Sequence, residues 1–176
     1  MLYDFGTDAL YETESVALKT ERLVLRAPVP ADGKAIARLA NDRRIAENLR
    51  RLPHPYSRAD AEAFLDYLAR ASQETAFLIE ADGTPCGMIG LDFGNEEGPE
   101  IGYWLGVAHW GNGFATEGAK AALEYAFSVL NLQHVISLIH PHNAASIRVA
   151  LRIGEKPEGQ AELFGAMRSV YGIDRP

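Results

Sequence analysis

A chain of 176 residues with a formal net charge of −7 has room for one hydrophobic core, and that charge argues against nucleic-acid binding, which demands a concentrated basic face. Its 47% hydrophobic and 23% charged residues are the proportions of an ordinary globular protein. No apolar run approaches the roughly 20 residues of a membrane span. Cys86 is the sole cysteine, which excludes an internal disulfide and a thiolate-held metal cluster. On a predicted strand it reads as a small buried hydrophobe. Met1 to Gly6 shows neither the basic start nor the apolar stretch of a signal peptide, so the expected location is cytoplasmic.

In chain order, residues 1–19 carry acids and little periodicity and read as an N-terminal extension. A single domain is expected over 20–176. Arg22 to Ala27 alternates polar and apolar residues and predicts a strand, ended by Pro28 and Pro30. Asp32 stands where it would cap a helix from Gly33 to about Asn41, and a second short helix is predicted over Arg44 to Leu49. Leu52 to Tyr56 must be extended, because each residue before a proline is pushed out of the helical region. Ser57 with Asp60 reads as a capping box, followed by a stripe of Ala61, Phe64, Leu65 and Leu68.

Ala76 to Glu80 and Pro85 to Phe93 predict a hairpin about Ala81 to Thr84. A second turn, Gly94 to Pro99, leads into a fourth strand over Glu100 to Val107, so the middle is an antiparallel meander. From Ala115, small or apolar residues at 119, 122, 123, 126, 127 and 130 predict a helix buried on one face. His134 to Ile139 forms a fifth strand. Asn143 opens a helix with Gly154 at its C′ position. Pro157 to Phe164 and Arg168 to Ile173 flank Gly165-Ala166 as a closing hairpin, which could be internal or form a dimer edge.

The informative stretch is His109-Trp110-Gly111-Asn112-Gly113-Phe114-Ala115-Thr116-Glu117-Gly118, between the fourth strand and the long helix. A strand, a glycine-studded turn and a helix start make an anion site. Free N–H groups converge there, the helix dipole adds positive charge, and missing side chains let a phosphate approach.

This order of elements, with Trp110-Gly111-Asn112-Gly113-Phe114-Ala115, resembles the GNAT superfamily of acyl-CoA-dependent N-acyltransferases. Trp110 replaces the usual Gln or Arg, a form that resembles the ribosomal-protein-alanine N-acetyltransferase branch. Thr20 to Arg26, Glu100 to Leu105 and Asn143 to Val149 resemble the same branch, in the same order. The resemblance covers about residues 20–155. It implies a mixed α/β fold, α+β-like, with a mostly antiparallel central sheet splayed between the fourth and fifth strands and flanked by helices. Arg152-Ile153-Gly154-Glu155 departs from the branch's usual Lys-Leu-Gly-Phe.

The resemblance implies acetyl-CoA as co-substrate, with the pyrophosphate on the backbone of Gly111, Asn112, Gly113, Phe114, Ala115 and Thr116, beside Trp110. It implies a pantetheine arm paired with the backbone of Trp104, Leu105, Gly106 and Val107, and contacts from Asn143 and Ser146. Asn143 is equally a helix N-cap and Ser146 a first-turn residue. The tyrosine that many relatives use to protonate the leaving thiolate falls at Ala150, so Ser146 is the expected donor to the sulfur.

Glu100 is the best-placed carboxylate to take the amine's proton through water, or else a solvated strand-end acid. Glu117, in the first helical turn, reads as a helix stabiliser. His54, Tyr56 and Tyr103 are candidates to line the acceptor cleft. His140, His142 and His109 have no accompanying carboxylates, so no metal is expected. The implied activity is direct acetyl transfer to a primary amine, a protein N-terminus or a small molecule such as a polyamine, amino sugar or antibiotic. The alternative is an acyl-CoA-binding module without turnover. No nucleic-acid or membrane partner is expected, and the protein is expected to be a monomer or homodimer.

Overall fold

The structure, a computed structural model, describes residues 17–163 and 165–176. The first 16 residues of the expected extension, and Phe164 at the tip of the closing hairpin, lie outside the described residues. Eight strands form one sheet in the order β1-β2-β3-β4-β5-β6-β8-β7. The strands are β1 (Ala17–Lys19), β2 (Leu23–Arg26), β3 (Glu74–Ala81), β4 (Thr84–Asp92), β5 (Glu100–Leu105), β6 (His134–Ile139), β7 (Lys156–Leu163) and β8 (Ala166–Asp174). The helices are α1 (Gly33–Ala40), α2 (Arg43–Ala46), α3 (Arg58–Leu68), α4 (Phe114–Ser128) and α5 (Ala144–Ile153). Among the described residues no helix is long and apolar enough to cross a membrane.

Alternation along the strands divides the core between the two faces. Phe77 and Ile79 of β3 join Leu25, Ile101, Val135 and the small-residue face of α4 (Ala119, Ala122, Ala126). Leu78, between them, points the other way, onto Ile36 and Ala40 of α1 and Ala61 and Leu65 of α3. The short residues of α4 let the helix lie close to the strands. Ser57 forms the expected capping box: its Oγ accepts from Asp60 N–H at 3.2 Å, and Asp60 Oδ2 accepts from Ser57 N–H at 2.7 Å.

Two local expectations are corrected. Asp32 makes no side-chain cap on α1; its carboxylate takes Val29 N–H at 2.8 Å and both terminal nitrogens of Arg26 at 2.9 Å. A nearby guanidinium outbids a helix N–H as a partner for an ion. The second helix begins on its own cap, Asp42, whose Oδ1 accepts Arg44 N–H at 2.9 Å, and spans only Arg43–Ala46. Residues 17–19, which carry too few side chains to show a period, pair with β2 as an edge strand.

The sheet is antiparallel except at its middle, where β5 and β6 run parallel and share one register pair, Glu100 with Ile136. Ile136 N–H donates to the Pro99 carbonyl at 2.8 Å, and beyond that point the strands part. β5 is committed to β4 over its whole length and β6 to β8 likewise. Each strand follows its own neighbour's twist, and the two diverge. The fourth predicted strand therefore ends at Leu105 rather than Val107, which enters a 3-10 turn with Ala108 and His109.

Candidate active site

The divergence of β5 and β6 opens a cavity of about 470 Å³. Its wall takes in Glu100 to Leu105, residues 137–140 of β6 and its end, the start of α4, one side of α5, and Arg44, Ile45 and Asn48 to Arg50. Of the expected site residues, Glu100, Tyr103, Trp104, Leu105, Trp110, Gly111, Gly113, Phe114, Ala115, Thr116, Asn143 and Ser146 come together here. Gly106, Val107, Asn112, His54 and Tyr56 do not line it. Tyr56 is buried in the smaller core against α1 and α3, where burial pushes its phenol up to about 12. His54 is exposed.

At the glycine loop, Gly111 and Gly113 both hold φ +80°, a left-handed backbone that a side chain rarely adopts. Gly113 is the N-cap of α4, and the first helical donor with an acceptor in the helix is Glu117 N–H, bonded to the Gly113 carbonyl at 3.1 Å. The N–H groups of Phe114, Ala115 and Thr116 therefore point out of the helix end toward the cavity wall they form. The loop is braced from residues distant in sequence. Glu117 accepts from Thr20 Oγ1 at 2.6 Å, Arg22 N–H at 2.9 Å and Arg22 Nε at 2.7 Å. Arg22 Nη1 donates to the Asn112 carbonyl at 2.9 Å. Burial works against the Glu117 anion, but these donors outweigh it and hold the carboxyl below its ordinary range. Glu117 thus stabilises more than its helix: it ties α4 to the β1–β2 turn.

The open edge of β5 has a definite parity. Gly106 N–H donates to the Cys86 carbonyl at 2.9 Å, and the Pro99 carbonyl accepts from β6. Even-numbered residues of β5 thus turn their backbone groups to β4 and odd-numbered ones turn theirs to the gap. The groups offered to the cavity are those of Tyr103 and Leu105, not Trp104 and Gly106. The Leu105 carbonyl is already taken by Trp110 Nε1 at 2.8 Å. Trp110 fastens the loop to the strand end, while its ring carries the Arg44 guanidinium 5.8 Å from its centroid.

Glu100 lies at the point where the strands part, 7% exposed. Oε2 accepts from Arg50 Nη2 and, at 2.8 Å, from Asn95 Nδ2; Oε1 has no hydrogen-bond donor among the described residues. Burial raises its pKa, against the lowering effect of Arg50 and Asn95. Asn143 uses Oδ1 to cap α5, accepting Ser146 N–H at 3.1 Å, so the amide Nδ2 remains for a ligand. Ser146 Oγ donates to Tyr103 Oη at 3.1 Å, and burial pushes the Tyr103 phenol up to about 12. Arg148 and Arg152, one helical turn apart, line the cavity and have no carboxylate partner among the described residues. His140 and His142 stack 4.0 Å apart, and among the described residues no three metal-ligating side chains gather. Cys86 is buried, donates to the Ile79 carbonyl at 3.3 Å and has its thiol pushed up to about 11 by burial. That is the environment of an inert side chain.

Sequence reasoning did not assign Arg22, Arg50, Asn95, Arg148 or Arg152. Arg22 and Arg148 sit inside the quoted motifs and could have been found there, whereas Arg50 and Asn95 carry no local signal.

The acetyltransferase (GNAT) domain model matches residues 22–156. The chain is similar to the N-acetyltransferase p20 of Bacillus licheniformis, 32% identical over 150 residues that cover 81% of this chain and 83% of that protein. A shorter stretch is 45% identical over 69 residues to YkkB of Bacillus subtilis, covering 39% of this chain and 40% of YkkB. Spermidine N(1)-acetyltransferase of Escherichia coli is 30% identical over 89 residues, 49% of this chain and 48% of the enzyme.

Among solved structures, an acetyltransferase from Agrobacterium tumefaciens superposes with TM-score 0.76 at 28% identity, covering 96% of this chain and 99% of that one. The ribosomal L7/L12 alpha-N-protein acetyltransferase RimL, solved with coenzyme A, shares the fold with TM-score 0.79 at 18% identity, covering 90% and 98%. A sheet parted at its one parallel pair, a helix start that presents free N–H groups to the gap and a domain match over 22–156 lead to one conclusion: the chain belongs to the GNAT acetyltransferase family.

Proposed function

We propose that the protein moves an acetyl group from acetyl-CoA to a primary amine by direct attack of the amine on the thioester. The observation that carries this reading is the cavity between β5 and β6, which joins the free N–H groups of α4 to Ser146 and Glu100. The residues suit the coenzyme. Left-handed glycines and helix N–H groups favour a pyrophosphate, and Arg148 and Arg152 add positive charge. The open backbone of Tyr103 and Leu105, with Asn143 Nδ2, suits an extended amide arm. Bound there, the coenzyme supplies an activated acyl group.

The chain's own residues supply the rest. Glu100, its pKa raised by burial, takes the amine's proton through water with the oxygen that Arg50 and Asn95 leave open. Ser146 donates to the sulfur. Holding the amine against the carbonyl does most of the catalytic work.

The acceptor is a protein N-terminus or a small amine. The partial likeness to spermidine N(1)-acetyltransferase puts polyamines in the test, and the fold of RimL puts N-terminal peptides beside them. Thiol release from acetyl-CoA over a panel of polyamines, amino sugars and N-terminal peptides identifies the acceptor class. Tight acetyl-CoA binding with no thiol release on any acceptor would leave a binding module, and failure to bind coenzyme A would overturn the reading. Gly113→Val, which puts a β-branched side chain at φ +80°, should lower coenzyme A affinity at least a hundredfold by calorimetry while the far-ultraviolet spectrum stays intact.

A further inference from the structure

The hydroxyls of Tyr103 and Ser146 form a closed pair. Ser146 Oγ donates to Tyr103 Oη at 3.1 Å, and Tyr103 Oη donates to the Ser146 main-chain carbonyl at 3.3 Å. In this arrangement the serine proton points at the phenol, not at the space where a sulfur would lie. A serine that turns its O–H outward vacates an acceptor lone pair within reach of Tyr103 Oη. The phenol can then swing its proton from a long bond with a carbonyl, which the helix already satisfies, onto Ser146 Oγ. We propose that Tyr103 is a positioning residue for acetyl transfer, the second donor of a two-hydroxyl unit that aims Ser146 at the departing sulfur. This rests on the acetyl-CoA reading above.

The acidities fix what the unit does. Burial pushes Tyr103 up to about 12, so the phenol keeps its proton at every working pH and always has one to donate. A cysteine-type thiol titrates at about 8.5, and an alkyl thiol of any kind is a much stronger acid than a phenol held at about 12. Full proton transfer to the sulfur is therefore uphill. As the carbon–nitrogen bond forms and the carbon–sulfur bond breaks, the sulfur keeps the electron pair and leaves as a thiolate. That thiolate accepts a hydrogen bond from Ser146 Oγ, which accepts one from Tyr103 Oη. Chained donors of this kind strengthen one another in a water-poor site. The nitrogen proton goes separately, through water to Glu100.

The test reads the sulfur itself. Thiolate absorbance of coenzyme A bound to the protein, titrated with pH, should show a thiol pKa below the free value in the wild type. Tyr103→Phe, which keeps the ring's packing, should move it back toward the free value, with coenzyme A affinity unchanged at a pH low enough to keep the bound thiol protonated. It should also lower kcat several-fold, the loss expected of one hydrogen bond between neutral hydroxyls, with the KM for acetyl-CoA unchanged. Ser146→Ala should abolish the shift, and adding Tyr103→Phe to it should change nothing further. A bound-thiol pKa in Tyr103→Phe equal to that of the wild type would overturn the proposal. So would additive losses in the double variant, or a tenfold loss of coenzyme A affinity at that low pH in Tyr103→Phe. Wild-type protein that binds no coenzyme A would instead overturn the underlying functional reading.

Discussion

Glu100 owes its chemistry to two opposing influences that reach it from different parts of the chain. Burial raises its pKa, while the Arg50 charge and the Asn95 amide lower it. The balance sets the pH below which the proposed base is lost. Removing the cation without changing much volume, as in Arg50→Met, takes away a lowering influence, so the Glu100 pKa must rise further. A base works only when deprotonated, so the acidic limb of the kcat–pH profile should move to higher pH. Activity on that limb should then fall several-fold while the plateau at high pH is kept. A limb that stays in place would mean that a group other than Glu100 is titrating. The strand-start position of Glu100 was legible in sequence; its partner 50 residues earlier was not, because an arginine beside Arg51 at the edge of a proline-containing loop carries no periodic or motif signal.

At the scale of elements, the glycine loop is set by more than its glycines. Two residues of the β1–β2 turn, Thr20 and Arg22, converge on Glu117 in the first turn of α4, 95 residues away from Arg22. Arg22 also holds the Asn112 carbonyl. Charge-assisted bonds of this kind fix the direction in which the loop's N–H groups point. Glu117→Gln keeps an acceptor but loses the charge. It should raise the KM for acetyl-CoA about tenfold, equivalent to ~1.4 kcal/mol, with kcat within about twofold. A fall in kcat at constant KM would show that the brace acts elsewhere. The motifs at 20–26 and 109–118 were both visible in the sequence, and so was the Asn143 cap. That the first motif braces the second was not, since no local pattern encodes a contact between them.

The departure at Glu155 is felt by the whole molecule. Its side chain is 2% exposed; one oxygen takes Ser137 Oγ at 2.8 Å and Oε2 has no partner among the described residues. Burial pushes its pKa up from 4.5 to about 7. Between those values the folded protein holds a proton that the unfolded chain has released, so stability falls as pH rises through that window. The loss is complete above about pH 7 and amounts to on the order of 3 kcal/mol. Glu155→Gln removes the titrating group. Its denaturant midpoint should fall less steeply than the wild type's between about pH 4.5 and pH 7, the remaining slope coming from Glu100 and His134, whose pKa values the fold also raises. Parallel curves for the two proteins would show that Glu155 does not titrate in this range.

Sequence alone determined most of the elements and the glycine-studded helix start, because both depend on neighbours a few residues apart. Strand alternation, the Ser57 box and the left-handed glycines at 111 and 113 are local physics. The parting of β5 from β6 is decided only in three dimensions, because it comes from each strand's commitment to a different neighbour along the sheet. The same is true of the pairs Glu100–Arg50, Glu117–Arg22 and Tyr103–Ser146, separated by 50, 95 and 43 residues. Those pairs fix which oxygen is free, which N–H groups point outward and which hydroxyls face one another. Chemistry at that resolution is a property of the packed chain, where burial and distant charges act together.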